Sequence, residues 1–204
     1  MLKIGLTGGV ASGKTTISNL FSSHGTPIID TDTISHQLLD VDRPGYIQVV
    51  QYFGNEILQQ DGQIDRRRLR RLVFSDQAEK LWLEGILHPM IYQQVEHQIS
   101  QNNAADYIIV VIPLLFEANF QSLVDRILVV DCSEETQIQR LTDRDNIDPE
   151  LAHKMLAQQW SNQDRLIRAD DVIENDQNRN LGAQVISLHR RYRSLSRPPT
   201  GTES

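Results

Sequence analysis

The sequence predicts an α/β fold built on a five-stranded, mainly parallel sheet, and three observations carry that expectation. The runs Lys3 to Thr7, Pro27 to Asp30, Tyr107 to Pro113 and Arg126 to Asp131 are short and continuously apolar, and Asp171 to Glu174 is a shorter fifth. Continuous rather than alternating runs suit strands whose sheet is covered by helices on both faces. Helical patterning fills the gaps between them, which gives the βαβ order of a three-layer parallel architecture. The chain has 204 residues, 39% hydrophobic and 23% charged, enough to bury one core that carries a modest insertion.

The elements follow in order. After the first strand, Ile17, Leu20 and Phe21 recur at helical spacing, and Gly25 with Pro27 closes that helix. The second strand runs into Asp30-Thr31-Asp32, with the next helix expected from Thr33 and Ile34. The stretch from about 33 to 103 is too long for a simple crossover and mostly helical in pattern, so it reads as an inserted acceptor-binding region. The core is then expected at 1–32 and 104–198. Inside the insertion, Asp65 is placed to cap a helix, with Ile64 and Leu69 as a hydrophobic staple. Ser133 before Glu134 and Glu135, and Asp148-Pro149-Glu150, start two more helices. These open a lid expected at about 140–168, and residues 199–204 read as a disordered tail.

Composition excludes several classes. A formal net charge of −7 argues against binding nucleic acid by phosphate neutralisation. No run approaches the roughly 20 apolar residues of a membrane span. Met1 leads directly into a strand without the pattern of a secretory leader, and Cys132 is the single cysteine, so no intrachain disulfide can form. A cytoplasmic protein is expected. Two basic runs stand out, Arg66, Arg67, Arg68, Arg70 and Arg71, and Arg190, Arg191, Arg193 and Arg197. Each is either a solvated helix face or a contact for a small anionic ligand.

Gly8-Gly9-Val10-Ala11-Ser12-Gly13-Lys14-Thr15 matches G-x-x-x-x-G-K-[ST], with a strand before it and a helix after it. The glycines let successive N–H groups converge on phosphate oxygens, and the helix N-terminus adds its partial positive charge there. This is the phosphate loop of the P-loop NTPase fold. Gly8, Gly9, Ala11, Ser12, Gly13, Lys14, Thr15 and Thr16 are the expected ATP contacts, with Lys14 on the β/γ phosphates and the Thr15 hydroxyl on Mg²⁺. A switch GTPase would need D-x-x-G and N-K-x-D, and neither occurs. The run Val111-Ile112-Pro113-Leu114-Leu115-Phe116-Glu117 lacks the strand-end acidic pair of a transport ATPase, so the small metabolite kinases remain.

Such a kinase needs a carboxylate at the acceptor hydroxyl and cations over the transferring phosphoryl group. Asp30 and Asp32 fall at the carboxyl end of the second strand, where open α/β sheets bind ligands. If the strand continued, both would point the same way. Asp32 is the candidate catalytic base, with capping duty more natural for Asp30. Arg140 and Arg144, four apart on one helix face, are the candidate lid cations, with Arg165 nearby.

The pieces Leu6-Thr7-Gly8-Gly9, Ile29-Asp30-Thr31-Asp32, Leu87-His88-Pro89, Pro113-Leu114-Leu115-Phe116-Glu117, Gln139-Arg140 with Arg144-Asp145, and Ala169-Asp170-Asp171-Val172-Ile173 with Asn175 occur in this order. Together they resemble the dephospho-coenzyme A kinase family over nearly the whole chain, from Ile4 to about Leu195. The resemblance implies transfer of the ATP γ-phosphoryl group to the ribose 3′-hydroxyl of dephospho-coenzyme A, with Mg²⁺. It implies Asp32 as general base, Lys14 and Thr15 on phosphate and metal, Arg140 and Arg144 in the lid, and Asn175 near the adenine. His88 and Glu117 fall in stretches that face the acceptor, and Arg66 in the basic run would meet the acceptor's phosphates. Two readings stay open for each of the former. His88 before Pro89 could be a helix-end histidine satisfied by backbone, and Glu117 could orient lid arginines. Ala11 stands where the family usually has Gly, and Thr31 where it often has Ala; a methyl group at position 11 is tolerable if φ there is negative. The alternatives are a nucleoside or nucleoside-monophosphate kinase, and a nucleotide-binding regulatory module without transfer chemistry. ATP and dephospho-coenzyme A are the expected partners, with no nucleic acid or membrane, and a monomer is expected with self-association left open.

Overall fold

The computed structural model describes residues 1–176 and 180–196. The tail expected at 199–204 and Arg197 of the second basic run lie outside the described residues. The chain divides into two compact units, Met1–Asp30 with Gln98–Ser204, and Thr31–His97.

The first unit holds a five-stranded sheet: β1 (Leu2–Gly8), β2 (Ile28–Asp30), β3 (Tyr107–Val111), β4 (Arg126–Asp131) and β5 (Asp171–Glu174). The order is β2-β3-β1-β4-β5 and every pairing is parallel. Two strands are shorter than the sequence reading, since β2 leaves out Pro27 and β3 stops before Ile112 and Pro113; a proline has no N–H for a ladder. Ile4, Leu6, Tyr107, Ile109, Val111, Leu128, Val130 and Ile173 point to one face. There they meet Ile17 and Phe21 of α1 (Lys14–Ser23) and Val185 and Tyr192 of α9 (Leu181–Leu195). Each such aliphatic side chain removed from water contributes about 1.5–3 kcal/mol. The alternate residues Ile108, Val110 and Val129 are fully buried as well, so the strands are covered on both faces, as their unbroken apolar runs predict. The register sets Leu6 beside Val111, Val111 beside Asp30, and Gly8 beside Val130, which gathers the carboxyl ends of β1 to β4 along one edge.

The same unit carries α6 (Glu134–Asp145), α7 (Pro149–Ala157) and α8 (Asn162–Ile167) between β4 and β5. Ser133, Asp148 and Ser161 cap them through their side-chain oxygens.

The second unit is helical: α2 (Thr31–Leu38), α3 (Pro44–Phe53), α4 (Arg66–Ser75) and most of α5 (Gln77–Gln101). Asp65 caps α4 by accepting from the N–H groups of Arg67 and Arg68, and the staple residues Ile64 and Leu69 are both buried. Two expectations fail here. The strand does not continue past Asp30, because α2 starts at Thr31, so Asp32 stands in a helical first turn and no strand periodicity aligns it with Asp30. His88 does not end a helix either; Pro89 lies inside α5, which continues to Gln101. Burial of Leu87, Ile91 and Val95 on that helix offsets the N–H that proline removes.

Candidate active site

β1 delivers the chain to Gly8, and the loop then curls back so that Ser12 N–H donates to the Gly9 carbonyl at 3.2 Å. Lys14 opens α1 and reaches back, with Nζ donating to the carbonyls of Gly8 and Gly9 at 2.9 Å each. Gly13 precedes the helix at φ 97°, and a Cβ there would collide with the Asn175 amide, so glycine is required on both counts. Gly9 is held by contact alone, since its Cβ would run into the Gln137 amide.

α1 differs from its neighbours at its start. The helices α4, α6, α7, α8 and α9 each have a side chain accepting from their first-turn N–H groups, whereas α1 begins at Gly13 with no side-chain cap and no acidic residue in its first turn; α3 shares that lack but starts on Pro44, which has no N–H to satisfy. Its N-terminal amides and dipole are therefore available to an anion.

Polar side chains from the distal half of the unit grip the loop carbonyls. Arg140 Nη1 donates to Ala11 O at 3.2 Å and Ser12 O at 3.3 Å, while its Nη2 donates to Asn175 O at 2.9 Å. Asn175 Nδ2 donates to Ser12 O at 2.6 Å. Gln137 Nε2 donates to Val10 O at 2.8 Å, and Gln159 Oε1 accepts from Val10 N–H at 2.8 Å. These donors hold the carbonyls of Val10, Ala11 and Ser12 on the side of α6 and Asn175. Asp176 supports the arrangement from behind by accepting from Ser133 at the start of α6. Burial works against its charge, but the Ser133 and Thr136 hydrogen bonds hold its carboxyl below the ordinary value. Burial raises the Cys132 thiol to about 11 despite Arg140 alongside, so it stays protonated.

Ala11 corrects the sequence reading. Its φ is +56°, in the left-handed region, not the negative value that would make a methyl harmless. The turn demands that conformation, and alanine adopts it at a cost of about 1–2 kcal/mol.

Beside the loop, a cavity of about 560 Å³ is lined by Gly9, Gln137, Trp160, Asn162 and Arg165, among others. Arg165 is buried, and Nη2 pairs with Glu117 Oε1 at 3.3 Å, an oxygen that also accepts from Trp160 N–H at 3.1 Å. Burial pulls the Arg165 guanidinium below its ordinary value, with the Glu117 carboxylate opposing. Glu117 Oε2, Arg165 Nε and the Ser12 hydroxyl have no hydrogen-bond partner among the described residues. Trp160 is held between the Phe116 ring, stacked at 5.1 Å, and the Arg168 guanidinium, 4.6 Å from its centroid.

Of the residues singled out in the sequence, Gly8 to Thr16, Arg140 and Asn175 gather at the loop, with Glu117 joined to its surroundings through Arg165 and Trp160. Arg144 does not join them; it pairs with Asp145 at 2.7 Å and is exposed. Asp32, His88 and Arg66 belong to the helical unit. Arg66 donates to His36 O and Asp40 Oδ1, which ties α4 to α2, the helix that carries Asp32. Burial lowers the His88 imidazole from its ordinary value, with Glu84 opposing. Gln137, on a polar helix, and Gln159, just beyond one, escape sequence reasoning because glutamine carries no signal of its own.

Among the described residues no three His, Cys, Asp or Glu side chains cluster to hold a metal ion, and no helix is long and apolar enough to cross a membrane.

Comparison with known proteins agrees with this geometry. A family model described as dephospho-CoA kinase matches residues 2–180. A dephospho-CoA kinase from Vibrio parahaemolyticus is 44% identical over 196 residues, which cover 95% of this chain and 96% of that protein. The crystal structure of TT1252 from Thermus thermophilus superposes with a TM-score of 0.82 at 27% identity, over 93% of this chain and 96% of the other. The dephospho-CoA kinase from Campylobacter jejuni shares the fold at a TM-score of 0.70 and 24% identity, over 96% and 98% of the two chains.

Proposed function

This chain belongs to the dephospho-CoA kinase family, and we propose that its phosphate loop, lid arginines and Asp32 divide the family's reaction among them. The reaction is ATP-dependent phosphorylation of the ribose 3′-hydroxyl of dephospho-CoA, which yields coenzyme A and ADP in the final step of coenzyme A biosynthesis.

The uncapped start of α1 at Gly13 is the observation that carries the assignment of the phosphate site. The N–H groups of the loop and of α1 bind the ATP phosphates, and Lys14 neutralises charge on the β and γ groups. Arg140 holds the loop's shape, and Arg165 faces the transferring group across the cavity above Gly9. Glu117 orients Arg165. Arg144 joins only when its bond to Asp145 opens. Asn175 fixes the end of the loop where the adenine side begins. Asp32 accepts the proton of the 3′-hydroxyl as that oxygen bonds to the γ-phosphorus, and the bond from phosphorus to the bridging oxygen breaks to release ADP. His88 and Arg66 contribute to dephospho-CoA binding from the helical unit. The Thr15 hydroxyl suits Mg²⁺, since this ion keeps most of its water and phosphate ligands and needs few from protein. When bound with ATP, the ion supplies further neutralisation of phosphate charge. The protein works as a cytoplasmic monomer on this reading, and a net charge of −7 favours solubility and opposes self-association.

The test is a coupled assay of ADP release with dephospho-CoA, adenosine, UMP and CMP as acceptors. ADP formation that depends on dephospho-CoA is expected, and Asp32→Asn should lower kcat by about 10² to 10⁴ with ATP binding nearly intact. An Asp32→Asn enzyme that keeps half the wild-type kcat would remove the base from Asp32.

A further inference from the structure

Val10 is the one loop residue whose peptide groups are both held by side chains from the lid helices. Its carbonyl accepts a hydrogen bond from Gln137 Nε2 of α6, and its N–H donates one to Gln159 Oε1, just beyond α7. The roles of the two amides are fixed by the backbone, because a carbonyl can only accept and an N–H can only donate. Gln137 is buried, so its bond is not exchanged freely with water. Between the two bonds both peptide planes that flank Val10 are fixed, immediately before the strained Ala11.

We propose that Gln137 and Gln159 are positioning residues for ATP, a two-point clamp that sets the loop amides from the lid side. Neither touches the reacting atoms. The clamp couples two halves of the kinase chemistry: movement of α6 and α7 alters the direction of the loop amides, and phosphate seated on the loop favours the clamped lid. The inference rests on the loop being the ATP site.

One chemical change distinguishes the clamp from ordinary packing. Glu in place of Gln keeps the size and acceptor oxygen but removes the donor. At position 159 the acceptor is what the clamp uses, and at 137 it is the donor. Both variants gain a negative charge near phosphate, buried at 137 and half-buried at 159, so it is the pH recovery in the one and not the other that isolates the hydrogen bond. Gln137→Glu should therefore raise the KM for ATP about tenfold more than Gln159→Glu does, the range expected when a buried carbonyl loses its donor. The Gln137→Glu defect should shrink as pH falls from 8.5 to 5.5, because the protonated carboxyl can again donate to Val10 O. The Gln159→Glu ratio to wild type should lack that recovery beyond the relief of its charge.

Initial rates with Mg²⁺-ATP and dephospho-CoA across that pH range provide the measurement, with thermal unfolding recorded alongside. Equal losses in the two variants, or no recovery of Gln137→Glu at low pH, would overturn the clamp. Should either variant not fold, the isosteric Gln137→Met and Gln159→Met take their place, read by calorimetric binding of ADP. A weakening under twofold in both overturns the proposal, and a larger one in both supports it. Absence of ATP turnover in the wild-type enzyme would instead strike at the loop assignment itself, so the two failures are distinguishable.

Discussion

Among the described residues of the sheet-bearing unit, Asp171 and Glu117 are two carboxylates paired with arginine, and their surroundings are finished in opposite ways. At the amino ends of β4 and β5, the Asp171 carboxylate accepts from Arg126 Nε at 3.1 Å, Tyr192 OH at 3.1 Å and Arg191 Nη1 at 2.6 Å, and only 1% of its side chain is exposed. Both of its oxygens are engaged. Near the phosphate loop, Glu117 and Arg165 meet through a single 3.3 Å contact, and each keeps a buried polar atom without a partner. An unsatisfied buried polar atom costs about 1–3 kcal/mol, so the second pair lowers the stability of the fold where the first secures it. The difference separates structure from function. A saturated cluster has no bonding capacity left for a ligand, whereas an unsaturated one beside a cavity keeps some in reserve. The Ala169-Asp170-Asp171 stretch, which contributes to the family resemblance, thus earns its place at Asp171 by holding strands and a helix together.

The largest effect that can break this contrast is on stability at Asp171. Asp171→Ala leaves the fully buried Tyr192 hydroxyl unpaired and takes from Arg126 its closest carboxylate, with Asp170 remaining beside it. Because Arg191 reaches solvent, the loss should sit near the low end for a broken buried pair, about 3 kcal/mol. For a protein of this size that corresponds to a fall of about 6–12 °C in Tm. Activity per folded molecule at low temperature should stay within about twofold, which steady-state rates normalised to folded fraction would check. A large loss of kcat with an unchanged Tm would show that the saturated cluster also serves the reaction.

Arg165→Met should do the reverse. It removes a desolvated charge and an unpaired Nε, so Tm should change by less than half the Asp171→Ala shift, while kcat/KM for ATP drops by about 10- to 100-fold, the weight of a charge-assisted hydrogen bond to phosphate. Thermal melts and initial rates on the same preparation read both quantities. A Tm loss equal to that of Asp171→Ala with a normal rate would make the Glu117–Arg165 pair another structural bridge.

The two regions also differ in how much of them the sequence discloses. The phosphate loop is legible because its requirements are local: a strand, glycines at fixed spacing, then a helix. The strands Arg126–Asp131 and Asp171–Glu174 are likewise readable residue for residue, since continuous apolar runs leave few other placements. The clamp is not readable, because Gln137 and Gln159 lie 127 and 149 residues from Val10 along the chain and nothing local marks them. Asp32 shows a different failure. Asp30-Thr31-Asp32 reads equally well as a strand end or a helix start, and the helix began two residues before its expected position. Pro89 misleads for a third reason: a 25-residue helix with buried Leu87, Ile91 and Val95 outweighs one missing hydrogen bond.

The smallest expected effect tests whether strain in the loop belongs with its unsatisfied neighbours. Ala11 holds φ +56° while its carbonyl accepts from Arg140, and the adjoining Val10 is held on both sides. Replacing it with glycine relieves about 1–2 kcal/mol of left-handed strain but returns about 0.5–1 kcal/mol as chain entropy in the unfolded state. The balance is a gain of about 0.5–1 kcal/mol, or about 1–4 °C in Tm for Ala11→Gly. The freer backbone should rely more heavily on the clamp, so adding Gln137→Met should weaken ADP binding more in the glycine background than in the alanine one. Thermal melts give the first quantity and calorimetric titration of ADP the second. If Ala11→Gly lowers Tm, the surrounding hydrogen bonds already absorb the strain, and the loop is then as fully settled as the Asp171 cluster at the other end of the strands.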